Sequence, residues 1–169
     1  MFDPADVVTV WIALDDMDAE LGPLEYVRKS HQWNDARYGS TSQFFQNNAG
    51  GKKLLYTAAV ENGVLPAMED DEMTCDEACR ALDIVSMAGL RAGGISIHNG
   101  RTWHGSGKNQ STWRPRRGLG LHFVPANVRF THEAAKSKLW KKYVEDHHLE
   151  AAETVEVPEE DFPIRWQPS

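Results

Sequence analysis

Cysteine is nearly absent: the 169 residues hold two, Cys75 and Cys79. That is too few for the disulfide framework of a small secreted domain, and a reducing intracellular setting fits better. No apolar run approaches the roughly 18 residues needed to cross a bilayer, which excludes a membrane-spanning role. The opening residues MFDPADVVTV lack the basic patch and apolar stretch of a signal peptide, and the chain ends Gln-Pro-Ser rather than in a peroxisomal Ser-Lys-Leu type signal. A soluble cytoplasmic protein is therefore expected. Excess positive charge is lacking too: 18 Lys and Arg face 25 Asp and Glu, a net charge of −7 that makes the whole chain a poor nucleic-acid binder. With 41% hydrophobic and 25% charged residues the composition is that of a globular protein, and the length suits one domain.

A second absence is local. Residues 84–132 contain no Asp or Glu, yet they hold seven basic side chains: Arg91, Arg101, Lys108, Arg114, Arg116, Arg117 and Arg129. The rest of the chain holds the other 11 basic residues and all 25 acidic ones, a balance of −14. A basic segment in an acidic protein points to a localised anion site or, more simply, to a solvated basic surface.

The clearest strand is 7–14 (VVTVWIAL). Val8, Val10, Ile12 and Leu14 form a uniformly aliphatic face expected to pack between sheets, while Val7, Thr9, Trp11 and Ala13 form a mixed face of the kind that lines a ligand. Gly22-Pro23 breaks structure before a short strand at 24–28, and 31–51 is a long polar excursion carrying Phe44 and Phe45. A further strand is possible at 53–60. Thr74-x-x-Glu77 is a capping box that starts a helix expected over 75–87, with Ala78, Leu82 and Val85 as its buried stripe. Cys75 and Cys79 lie one turn apart on it and read as ordinary small core residues rather than a metal site. Strands follow at 95–98 and 118–124, the first closed by a hairpin-type Asn99-Gly100 turn. A second helix is expected over 133–148, carrying Leu139, Trp140, Tyr143 and Val144, and a tail docking through Phe162, Ile164 and Trp166. Short strands with a few helices predict a mainly β fold with helical additions, a sandwich or jelly roll.

Residues 98–122 are the densest candidate site, with His98, His104, His122, an HGSG turn and the arginines of WRPRR. Arg116, Gly118, Gly120 and His122 share one strand face, and two glycines between an Arg and a His leave an open pocket. Arg116 could clamp a carboxylate there through paired hydrogen bonds, or pack in a salt bridge.

The strings VTVWIALDD, GPLEYV…SH and HGSGKN…RRGLGLHF resemble those of the phytanoyl-CoA dioxygenase family of iron(II)/2-oxoglutarate oxygenases. The resemblance runs in order from Val7 through Phe123. It implies a double-stranded β-helix (jelly roll, cupin-like) across one domain, 1–169, with 133–169 as a C-terminal helix and docking tail. It implies iron(II), with 2-oxoglutarate as co-substrate and ascorbate in support, and hydroxylation of a small organic substrate with release of succinate and CO2. By the family pattern His104 is the distal iron ligand and Arg116 the co-substrate clamp, with Arg117 as runner-up, while Trp11 and Ser106 line the co-substrate pocket.

The chain departs from that pattern in two places. The family's His-x-Asp, which supplies the other two iron ligands, should precede the VTVW strand, and the ten residues before Trp11 hold no His. His148-Leu149-Glu150 is the nearest equivalent, at the end of the C-terminal helix, where surface solvation explains it. The chain is therefore expected to enter its barrel partway, with the ligand pair upstream of Met1 and an unpaired sheet edge that favours self-association. Arg28-Lys29 also stands where the family's turn usually has Pro-Gly, so His31 is not read as a ligand. Two other readings stay open: a noncatalytic 2-oxoglutarate- or anion-binding module on the same scaffold, and a cupin-like metal site of His98, His104 and His122.

Overall fold

The computed structural model describes residues 2–34, 49–67, 75–137 and 140–163. In chain order the strands are β1 (Phe2–Asp3), β2 (Val8–Ala13), β3 (Leu24–Val27), β4 (Ile84–Ser86), β5 (Ile95–Asn99), β6 (His104–Ser106), β7 (Gly118–Phe123), β8 (Arg129–Thr131) and β9 (Thr154–Glu156). Helices α1 (Ala49–Glu61) and α2 (Cys75–Cys79) fall between β3 and β4. The chain divides into two compact units, Thr9–Leu121 and Met1–Val8 with His122–Ser169. Among the described residues no helix is long and apolar enough to cross a membrane.

The fold is mainly β with added helices, and the unit Thr9–Leu121 has the layout of a jelly roll. One sheet runs β5-β2-β7 and the other β4-β3-β6, with β3 antiparallel to both its neighbours. On β2 the faces are the reverse of the sequence expectation. Thr9 and Ala13, on the mixed face, are buried, whereas Val8 and Leu14 on the aliphatic face are 43% and 50% exposed.

Two helix expectations are corrected. Residues 53–60 lie within α1, whose Leu55, Ala58 and Ala59 recur at i, i+3 and i+4 and bury one stripe against Val27, Trp33, Leu82 and Trp103. The helix expected over 75–87 stops at Cys79, and Ile84–Ser86 forms β4 instead. Three residues there complete the ladder on the open side of β3, pairing Glu25 with Ser86, Tyr26 with Val85 and Val27 with Ile84, and this pairing overrides local helix propensity. Cys79 and Ala78 are buried in the core beside α1, while Thr74 lies outside the described residues. The excursion at 31–51 opens with a 3-10 turn at Ser30–Gln32 and ends in α1; Phe44 and Phe45 lie outside the described residues.

In the other unit β1 and β9 flank β8. Phe130 is fully buried, with Tyr143 stacked on it at 5.0 Å and Phe2 and Phe162 at 5.2 and 5.5 Å between ring centroids. Each such pair is worth about 0.5–1.5 kcal/mol beyond its burial. The helix expected over 133–148 resolves into 3-10 turns at His132–Lys136 and Lys141–Tyr143, because Ser137 takes an extended conformation between them. Trp140, Tyr143 and Val144 still pack inward, and Phe162 docks as expected; Leu139, Ile164 and Trp166 lie outside the described residues.

The acid-free stretch is neutralised from elsewhere in the chain. Arg117 holds Asp15 through Nη2 at 2.6 Å, Arg91 holds Asp16 at 3.0 Å, and Arg114 reaches both Asp18 and Glu20. Arg129 pairs with Glu156 at 3.0 Å. Three of the seven basic side chains, Arg91, Arg114 and Arg117, are thus the complement of the acidic turn after β2. Hydrogen bonds from the Arg117 side chain and backbone hold the Asp15 carboxyl below its ordinary value, and the Ala92 N–H and Arg91 do the same for Asp16. A carboxyl with a depressed pKa contributes stability above its unfolded value, about 3.9, and loses it as pH falls through the folded one. Thermal unfolding followed by circular dichroism should therefore show the wild type losing its advantage over an Asp15→Asn, Asp16→Asn double variant below about pH 4. Parallel curves across that window would remove these contacts from the stability balance.

Candidate functional site

The site is built where the two sheets of the Thr9–Leu121 unit face each other. Register places Tyr26 opposite His104 and Leu24 opposite Ser106, so alternation sets Tyr26, His104 and Ser106 on one face. From the other sheet β5 presents Ser96 and His98. The Tyr26 hydroxyl and Ser96 Oγ are 2.8 Å apart. The Tyr26 ring lies 4.7 Å from that of His98 and 6.0 Å from that of His104, and the two imidazoles are 4.8 Å apart. Tyr26 is buried, and burial, partly offset by the Ser96 bond, raises its phenol pKa, so the group stays neutral and either hydroxyl of the pair can donate.

Asn99-Gly100 is not a hairpin turn. Its two flanking strands belong to different sheets, and the Asn99 carbonyl and side chain accept from the N–H groups of Thr102 and Arg101 as the chain crosses between them. That crossing is what brings His98 and His104 together. His104 Nδ1 lies 2.7 Å from the Thr102 carbonyl. A carbonyl only accepts, so Nδ1 carries the proton and Nε2 keeps its lone pair, the arrangement of a metal-ligating histidine. His98 and His104 thus converge, while His122 is exposed on β7 in the other unit. Among the described residues no three His, Cys, Asp or Glu side chains are grouped to hold a metal ion. His148 and Glu150 are exposed in the other unit. The residues present therefore offer iron one suitable nitrogen, and they do not complete a three-ligand site.

Arg116 differs from its neighbours. Nη1 donates to the carbonyls of Gly22 and, at 3.3 Å, Gly107. Gly22, at φ 60°, packs so closely on Gly107 that a Cβ would meet the Gly107 carbonyl oxygen at 2.4 Å, which is why the Gly-Pro turn needs glycine here. Arg114 and Arg117 are consumed by carboxylates, but among the described residues Arg116 makes no ion pair, and no hydrogen bond uses its Nε–Nη2 edge. Backbone carbonyls fix the guanidinium in place without cancelling its charge. Arg117, the runner-up clamp, forks onto Asp15.

Trp11 occupies the room expected to be an open pocket over the β7 glycines: a Cβ on Gly118 would stand 2.3 Å from its Cζ2. Among the described residues a cavity lies elsewhere. About 340 Å³ opens beside Tyr26 and His98 and reaches Lys29, His31, Met87 and Thr102; Trp11, Ser106 and Arg116 do not line it. Tyr26 and Ser96 went unnoticed as site residues in the sequence. The alternation of Leu24 and Tyr26 was the available signal, but the facing sheet was not legible.

A family model for phytanoyl-CoA dioxygenase (PhyH) matches residues 1–118. No curated protein matches the sequence. Among solved structures, the chain is similar to the non-heme α-ketoglutarate-dependent epimerase SnoN from nogalamycin biosynthesis, at 22% identity and a TM-score of 0.47, covering 76% of this chain and 39% of that one. A structure of SnoN with Fe3+, α-ketoglutarate and nogalamycin RO gives 24%, 0.48, 76% and 40%. The α-ketoglutarate-dependent carbocyclase SnoK gives 19%, 0.48, 90% and 47%. The chain spans less than half the length of each of these structures.

The Trp11–Gly118 contact makes its own prediction. Gly118→Ala should cost about 1–3 kcal/mol through overpacking. Combining it with Trp11→Ala should recover most of that loss, so urea unfolding of the four proteins should give strong non-additivity. Simple additivity would mean that Trp11 does not rest on Gly118.

Proposed function

The chain belongs to the phytanoyl-CoA dioxygenase family, and on that premise we propose that it carries the co-substrate-binding part of an iron(II)/2-oxoglutarate-dependent dioxygenase that hydroxylates a small organic substrate. In the assembled protein 2-oxoglutarate would be split to succinate and CO2 as one atom of oxygen enters succinate and the other the product. The observation that carries this reading is Arg116, a fixed guanidinium with an unused donor edge and no carboxylate partner among the described residues. Its role is to hold the far carboxylate of 2-oxoglutarate by a paired hydrogen bond. His104, with its proton fixed on Nδ1, supports the role of distal ligand; Ser106 shares its strand face, and Trp11 packs on the glycine two residues past the clamp. Ascorbate would act only in support.

The chain contains no His-x-Asp. The remaining two ligands are proposed to come from polypeptide outside these 169 residues. The same observation favours a second reading, a 2-oxoglutarate-binding module without catalysis. Both predict that 2-oxoglutarate binds this chain and that Arg116→Met weakens it about ten- to a hundredfold, the loss for a charge-assisted hydrogen bond, measured by calorimetry. Unchanged affinity would overturn both. Sequencing the coding region before Met1 separates them: a His-x-Asp there, giving manganese(II)-dependent stabilisation of the extended protein, supports the enzyme, and its absence leaves the module.

Self-association follows from the same sheet. Ile95, Ile97 and Leu119 are 54%, 63% and 47% exposed, and β7 is an edge strand among the described residues. Exposed apolar strands beside an open edge pair with further copies. Sedimentation velocity should show concentration-dependent oligomers of this chain, which Ile97→Lys reduces; a monomer at every concentration would refute it.

A further inference from the structure

The cavity beside His98 has a chemistry of its own. Its floor is apolar and aromatic, with Tyr26, Val85 and Met87, while Arg28, Lys29 and His31 stand at the end of β3 and no acidic residue lines it. At about 340 Å³ it falls at the small end of ligand sites, which span ~300–1,000 Å³. Arg28 is already matched by Asp83 at 2.8 Å. Lys29 makes no ion pair among the described residues.

The backbone singles out Lys29 further. It sits at φ 64°, ψ 2°, a left-handed conformation that glycine takes freely and a side chain with a Cβ does not. A non-glycine residue held there at the mouth of a cavity is a strained position, and such positions concentrate where a ligand is handled. For the fold alone glycine would serve better. What lysine adds is an ammonium beside an apolar hollow.

We propose that this cavity is the substrate pocket and that Lys29, aided by His31, recognises an oxyanion on the substrate: a small amphipathic acid whose apolar body lies against Tyr26, Val85 and Met87. This rests on the oxygenase reading for its role, because the pocket adjoins His98, whose ring lies 4.8 Å from that of His104, the proposed ligand. The binding itself needs neither metal nor co-substrate, so it can be measured separately. Arg116 holds one anion, the co-substrate, and Lys29 a second, on a cavity that Arg116 does not line.

The test uses octanoate, octyl phosphate and neutral octanamide with the full chain at low ionic strength, without metal or 2-oxoglutarate. Octanoate or octyl phosphate should bind more tightly than octanamide by roughly two- to fivefold, the range for an exposed charge pair, and added salt should erase the difference. Whichever acid binds better identifies the oxyanion as carboxylate or phosphate. Lys29→Gly should abolish the preference while leaving the melting temperature equal or higher, because glycine suits that backbone; a merely structural lysine would not separate the two readouts. Equal binding of acid and amide, no binding of any probe, or a preference that survives Lys29→Gly would overturn the proposal. A preference lost in Arg116→Met but kept in Lys29→Gly would place the anion on the co-substrate clamp, overturning this inference and sparing the functional one. Loss of 2-oxoglutarate binding with the Lys29-dependent preference intact would do the reverse.

Discussion

The contact on which the site depends is the meeting of Tyr26 with Ser96 and His98. Tyr26 belongs to one sheet and its two partners to the other, so a single buried side chain ties the layers together at the candidate site. Its hydroxyl must find a partner because a buried phenol left unbonded would lose the solvation it had in water. Ser96 supplies that partner, and alternation along β5 then sets His98 on the same inward face. His104 arrives opposite Tyr26 through the β3–β6 register. Sheet spacing, strand register and one hydrogen bond thereby bring two imidazoles together from strands that are not paired with each other.

Charge works at a different level. Read along the chain, the acid-free stretch and the DDMDAE turn look like two unbalanced blocks; in space the turn takes up three of the stretch's seven basic side chains. Exposed pairs of this kind contribute little individually, but they remove three arginines from any role in anion binding. The exception is informative for that reason. Carbonyl oxygens around the Arg116 Nη1 orient the guanidinium, yet a neutral dipole leaves the formal charge available, which a carboxylate would not. The close approach of Gly22 and Gly107 gathers two of those carbonyls, so a steric requirement for small residues becomes an electrostatic arrangement.

Legibility in the sequence followed the range of the forces involved. The strands at 7–14, 24–28, 95–98 and 118–124 were found to within a residue at either end, because alternation and turn residues are local. The errors lay where distant partners decide. α1 read as a strand because LLYTAAV is as apolar as a strand, and only the stripe of Leu55, Ala58 and Ala59 facing the Trp33–Trp103 core makes it a helix. β4 read as helix because its pairing with β3 crosses more than fifty residues. Asn99-Gly100 has the chemistry of a hairpin, but the strands on either side are recruited by different sheets. Among site residues, His104, Arg116, Trp11 and Ser106 came from family motifs; Tyr26, Ser96 and Lys29 needed coordinates, since neither a facing layer nor a positive φ at lysine is written in local pattern.

The incomplete metal site and the complete anion geometry are compatible because they are held by different means. A metal centre needs three ligands at once, and a histidine with one free nitrogen is a weak site alone. An anion needs only a fixed donor pair and an uncompensated charge, which one arginine can provide. The described residues satisfy the second requirement at Arg116 and stop short of the first at His104. The two arrangements are held independently: the Arg116 guanidinium is braced by the carbonyls of Gly22 and Gly107, and the tautomer of His104 by Thr102, neither of which requires an ion to be present.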